Sequence, residues 1–246
     1  MRREQVIIIQ RWNDNDTPSR LRRIAGMGPA EAMVLTSDQC EVHSCIIVIM
    51  ADTWFTSDFH LGHFNIIRYC NRPFADTREM DEVIVDRLNA VVKPNDTLYF
   101  LGDFCLGKHD NVAAYRNRLS CQTIHFIDGN HDKTTRQLQH LFSSWSSLSE
   151  ISIGKQGIVL CHYAMKVWPN HSRGAWQLYG HSHGNLLDDP ISLSMDVGVD
   201  SHEFRPWHFD EIQAVMRVKS EAKAAHIEKR NAALKSTESP ESRELI

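Results

Sequence analysis

Residue types that hold divalent cations recur in five short clusters: Asp58-Phe59-His60, Gly102-Asp103, Gly129-Asn130-His131-Asp132, His162, and Gly180-His181-Ser182-His183. Each follows directly on an apolar, strand-like run, at 54–57, 98–101, 124–127, 158–161 and 177–179. Imidazole and carboxylate donors without an obligatory thiolate suit zinc, iron, manganese or nickel. Two such ions about 3.5–4 Å apart can share a carboxylate, polarise phosphoryl oxygens and generate hydroxide near neutral pH. Two divalent ions balanced by Asp58, Asp103 and one hydroxide leave a net positive charge. That local excess draws a phosphate although the chain as a whole carries −4.

Strands must position these clusters. Open α/β sheets bind ligands outside the carboxyl ends of their strands, so five loops leaving five strands can converge on one centre. Glycine at the start of three clusters permits tight turns and close approach. Between the clusters the pattern is helical. Asp76-Thr77 can cap a helix in which Met80, Val83, Ile84, Leu88, Val91 and Val92 recur at helical spacing, ended by Lys93-Pro94-Asn95-Asp96. A short helix is expected over 110–119 and a helix over about 210–231. Strands are expected over 97–101, 123–127, 158–161, 177–179 and 191–199.

The ordered set D-x-H, G-D, G-N-H-[DE], a lone His and G-H-x-H resembles the calcineurin-like metallophosphoesterases. Its motifs run from Asp58 to His183, within the central and C-terminal three-quarters of the chain that the resemblance covers. The stretch 54–67 and His181-Ser182-His183-Gly184 look like the small bacterial and phage-type branch. The resemblance implies a four-layer α-β-β-α sandwich, two mixed β-sheets face to face with helices outside. It implies that Asp58, His60 and His183 hold a first ion, that Asp103 bridges, and that Asn130, His162 and His181 complete a second. His131 would bind no metal; it would steady developing charge and protonate the leaving oxygen. A metal-activated hydroxide would attack phosphorus without a covalent enzyme intermediate. One position departs from many relatives: Leu106 stands where they carry the Asp that orients the catalytic histidine, which counts against a protein phosphatase.

Taken singly, each element has an ordinary reading. Asp58 and Asp103 could be helix caps or turn residues, Asn130 a turn residue beside Gly129, His162 a core histidine, and His181 and His183 loop residues. All five readings would have to coincide in the right order, so the metal centre is preferred. His63 and Arg173 are expected to contact substrate; a helix-start role weighs about as much for His63, and simple solvation weighs more for Arg173. The resulting expectation is hydrolysis of a small phosphate ester, a nucleotide-like diester ahead of a monoester, with manganese, iron, zinc or nickel. A nuclease is one alternative and a non-catalytic metal-binding scaffold another.

Bulk properties bound these readings. With 246 residues, 42% hydrophobic and 24% charged, the chain is of ordinary globular composition. Its net charge offers no general attraction to nucleic acid or anionic membrane. The longest apolar run, 45–51, is far too short to span a bilayer. Six cysteines form no C-x-x-C pair, which reads as reduced thiols in a cytoplasmic protein. Residues 1–49 are expected to be an N-terminal extension, poorly organised or not translated, with Met50 as the natural start. The phosphoesterase domain is expected over 50–233 and a disordered tail over 234–246.

Overall fold

The computed structural model describes residues 51–237, with the backbone alone for 235–237, and three short strands before them. The chain divides into two compact units, Met1–Ala51 and Asp52–Ile246. In the first, β1 (Ile7–Ile9) and β2 (Val34–Leu35) each pair antiparallel with β3 (Ile46–Val48). The remainder of the expected extension lies outside the described residues, as do residues 238–246 of the expected tail.

The second unit holds two mixed sheets. The five-stranded sheet has the order β12 (Trp207–His208), β4 (Thr53–Thr56), β5 (Thr97–Phe100), β6 (Thr123–Ile127), β7 (Ser144–Ser146). Only β12 runs antiparallel to its neighbour. The four-stranded sheet has the order β11 (Ser194–Asp196), β10 (Trp176–Tyr179), β9 (Gln156–Cys161), β8 (Leu148–Ile153). There β8 is the antiparallel member.

Alternation along the strands divides the core in two. Trp54, Leu98, Phe100, Ile124 and Phe126 face helices α2 (Thr77–Val91) and α3 (His109–Arg118). Their neighbours Phe55, Leu101 and Ile127 join Ile158, Leu160 and Leu178 of the other sheet. In β9 three consecutive residues, Ile158, Val159 and Leu160, are buried, so both faces of this sheet are covered. The outer cover is α4 (Phe209–Thr237), whose Phe209 packs on Trp176 and whose Lys219 reaches the Ser194 carbonyl. The layering is α-β-β-α, as the resemblance implies.

Helix α2 follows its sequence signals. Asp76 caps it by accepting from the Glu79 amide at 2.9 Å, and Met80, Ile84 and Leu88 recur every fourth residue on the buried side. Two expectations shift. The late strand shrinks to 194–196, and α4 runs past 231, taking 234–237 of the expected tail into the helix. A short helix α1 (Phe64–Tyr69) follows the first cluster. Its six residues are too few to show a helical period in the sequence.

Candidate metal centre

The carboxyl ends of β4, β5 and β6 lie side by side, and those of β9 and β10 meet them across the sandwich. His162 Nδ1 is 2.6 Å from the Leu101 carbonyl, which fixes that nitrogen as the donor and leaves Nε2 for the site. Gly180 backs onto the first cluster so closely that a methyl group there would overlap Ser57 Oγ and Asp58 Oδ2. This close approach is the physical reason for glycine at the head of G-H-x-H.

Two donor groups result. Ligand atoms of Asp58, His60 and His183 lie within 4.8 Å of one another, as do those of Asp103, His162 and His181. Asn130 joins the second group, with its Oδ1 3.2 Å from His162 Nε2. Asp103 stands between them: its Oδ2 is 3.4 Å from His60 Nε2 and 3.4 Å from His162 Nε2. Its other oxygen, Oδ1, accepts from the His131 amide at 2.9 Å. Asp58 is divided the same way, with Oδ2 accepting from the His181 amide and Oδ1 left without a partner.

These groups suit cations. Asp58 Oδ1 and both ring nitrogens of His60 are buried with no hydrogen-bond partner. Desolvating a carboxylate oxygen and an imidazole without compensation costs several kcal/mol, roughly 2–7 per group. A metal ion would take up those atoms. The backbone adds a second sign of function. Asp58, His60, Asp103, His181 and His183 all adopt left-handed φ values between 49° and 67°. Each such non-glycine residue costs about 1–3 kcal/mol, and such strain clusters at functional sites.

Electrostatics follow from burial and proximity. Burial pushes the Asp58 carboxyl up to about 7. Burial also drives His60 well below the usual histidine range. For His162 burial pulls downward, but the hydrogen bond to Asp103 and the charge of Asp58 outweigh it and lift the ring to about 9. Asp103 is the counterpart: burial opposes ionisation, and the facing histidines hold it at about 2 all the same.

No protein-family model matches the chain. Residues of the chain align at 33% identity over 170 positions with an uncharacterised protein, MJ1445, of Methanocaldococcus jannaschii. The alignment covers 66% of this chain and 90% of that protein. Among solved structures, protein AQ665 of Aquifex aeolicus, of unknown function, superposes with a TM-score of 0.54 at 23% identity, over 68% of this chain and all of that one. The chain belongs to the same family as the Methanocaldococcus jannaschii protein. A structure described as a novel archaeal phosphodiesterase bears a looser likeness, with a TM-score of 0.37 at 16% identity, over 60% of this chain and 83% of that one.

The five clusters thus bring the seven candidate ligands together. His131 is exposed beside them, its ring 5.2 Å from that of His60 and 6.0 Å from that of His63. His63 is also 5.5 Å from His60, and its Nδ1 is buried without a partner. Arg173 is not brought to this centre. It follows Asn170 in a short turn that leads into the amino end of β10 and lines a depression with Lys155 and Gln156, at the opposite end of the sheet from His162 and His181. Leu106, which the resemblance sets where an orienting Asp would stand, is partly exposed and donates its amide to the Leu61 carbonyl.

Several site residues carry no clear sequence signal. Asp200 accepts from His183 Nδ1 at 2.7 Å and pairs with the buried Arg72 through both oxygens. Arg72 also donates to the Asp58 and Phe59 carbonyls, tying the first loop to the last. Neither residue lies in a motif. Asp132 does: it is the final position of G-N-H-[DE], and it accepts from the amides of Gly129, Asp103 and Phe104. Cys70 completes a third donor group with His183 and Asp200, but Asp200 is already committed to Arg72. Among the described residues no helix is long and apolar enough to cross a membrane.

Proposed function

We propose that this chain hydrolyses a small phosphodiester with two divalent cations, held by Asp58, His60 and His183 on one side and by Asn130, His162 and His181 on the other. The observation that carries the reading is the place of Asp103, whose Oδ2 is equidistant from a histidine of each group. Bound there, divalent ions supply Lewis-acid polarisation of the phosphoryl group and a hydroxide nucleophile near neutral pH.

The chain's own residues do the rest. Asp103 is kept ionised by the facing histidines, so it presents a full charge to both groups. The His131 amide and the His181 amide hold one oxygen of Asp103 and one of Asp58, which turns the other oxygen of each into the site. Asp200 fixes the His183 ring so that Nε2 faces the first group. The exposed His131 ring, beside His60, would steady charge on phosphoryl oxygen and give a proton to the departing oxygen. His63 lines the same side and offers a further contact to phosphate.

The experiment is turnover of bis-p-nitrophenyl phosphate and p-nitrophenyl phosphate by protein purified with Mn²⁺. The diester is expected to be the better substrate. Asp103→Asn and His131→Ala are each expected to lower kcat by at least about a hundredfold. Two equivalents of tightly bound metal with turnover of neither ester would instead fit a scaffold.

A further inference from the structure

The rim of the centre is aromatic where it meets solvent. Tyr163 directly follows His162, and its ring packs edge-on against His181, with centroids 4.7 Å apart, and against His162, at 5.0 Å. Its hydroxyl lies 3.4 Å from Asn130 Oδ1. Tyr163 therefore contacts all three candidate ligands that belong to the second donor group alone. Even so, Tyr163 is 45% exposed. Core packing does not explain a large ring that stays so exposed beside the centre, since burial is what core packing would bring.

His131 and His63 cluster around His60, on the side of the first group. If His131 protonates the departing oxygen, the arm of the ester that leaves lies beside it. The arm that stays attached to phosphorus then extends over the second group, where Tyr163 stands.

We propose that Tyr163 is a specificity-determining residue whose open ring face takes a planar aromatic group, a nucleobase or an aryl ring, on the retained arm of the ester. This rests on the diesterase reading above and deepens it, because it assigns the substrate class: a phosphodiester with an aromatic-bearing retained arm. The hydroxyl is incidental to the contact and the ring is what matters. Stacking of a base on such a ring strengthens binding by about tenfold or more.

The test compares binding of AMP and ribose 5-phosphate to Mn²⁺-loaded full-length protein by calorimetry. The two ligands share the phosphate and the sugar and differ only by the base. The expected result is AMP binding about tenfold tighter than ribose 5-phosphate. That preference should be lost in Tyr163→Ala and kept in Tyr163→Phe, with metal content unchanged in both. Equal affinities in the unsubstituted protein, or a preference that survives Tyr163→Ala, would overturn the proposal. So would Tyr163→Phe weakening both ligands together with loss of metal, since the hydroxyl would then be positioning Asn130. An intact AMP preference in a protein that hydrolyses neither nitrophenyl ester would count against the diesterase reading and leave the ring contact standing.

Discussion

At the scale of single residues the centre is a set of paired commitments. Asp58, Asp103, His162 and His183 each have one atom engaged by the protein and another left for the site, and the engaging partners come from other parts of the chain. Asp200 is the clearest case, since it serves both His183 and the buried Arg72. Replacing Asp200 with Ala is expected to weaken binding at the first ion site by about 10–100-fold, because the His183 ring loses the partner that orients it. The same change strands the Arg72 guanidinium and should lower stability by about 3 kcal/mol. Metal titration and urea unfolding read the two effects separately; unchanged metal affinity would show that His183 needs no such partner.

Protons are a second matter for individual residues. In the metal-free chain His162 is lifted to about 9 and Asp58 to about 7, so at pH 7 the first is protonated and the second partly so. A ligand must lose its proton to bind metal, and a bound proton competes at any pH below the group's own pKa. Metal affinity should therefore rise with pH, steeply up to about 7, more gently to about 9, and little beyond. Calorimetry in buffers of different ionisation enthalpy should find more than one ligand proton released per chain at pH 7 and a smaller release as the pH passes 9. Release that does not change with pH would contradict this account.

Among the elements, loops matter more than strands. The loops after β5 and β6 are joined by one buried carboxylate, Asp132, which accepts from three backbone amides. Asp132→Ala would leave those amides without partners at about 1–3 kcal/mol each. A loss of about 3 kcal/mol or more in unfolding free energy is expected, with weakened metal binding because Asp103 and Asn130 sit on the two loops it joins. Denaturant melts check the first effect, and a variant as stable as the parent would remove Asp132 from this role. Much of this level was legible in the sequence. Apolar runs ending in Asp, His or Gly marked five strand ends, and the four-residue recurrence of Met80, Ile84 and Leu88 marked α2. Strands β7 and β8 were not legible, since Ser144–Ser146 and Leu148–Ile153 alternate polar and apolar residues too briefly or lie half exposed at sheet edges. Arg72 and Asp200 stayed hidden for a different reason. Their pairing spans 128 residues and depends on burial, which no local spacing reports.

Over the whole molecule, two parallel bundles of strand ends from separate sheets face each other, and neither sheet alone carries both donor groups. The five-stranded sheet supplies Asp58, His60, Asp103 and Asn130, and the four-stranded sheet supplies His162, His181 and His183. Packing of Phe55, Leu101 and Ile127 against Ile158, Leu160 and Leu178 is thus what assembles the site. The order of motifs foretold that assembly. Arg173 shows where order fails, because closeness in sequence to His162 and His181 did not reveal which end of the strand it occupies. The most direct test of a bridged pair of ions is electron paramagnetic resonance of the protein titrated with Mn²⁺. Two equivalents should give the spectrum of an exchange-coupled pair, which Asp103→Asn abolishes while single-ion signals remain. A spectrum of isolated Mn²⁺ at every loading of the unsubstituted protein would contradict the account.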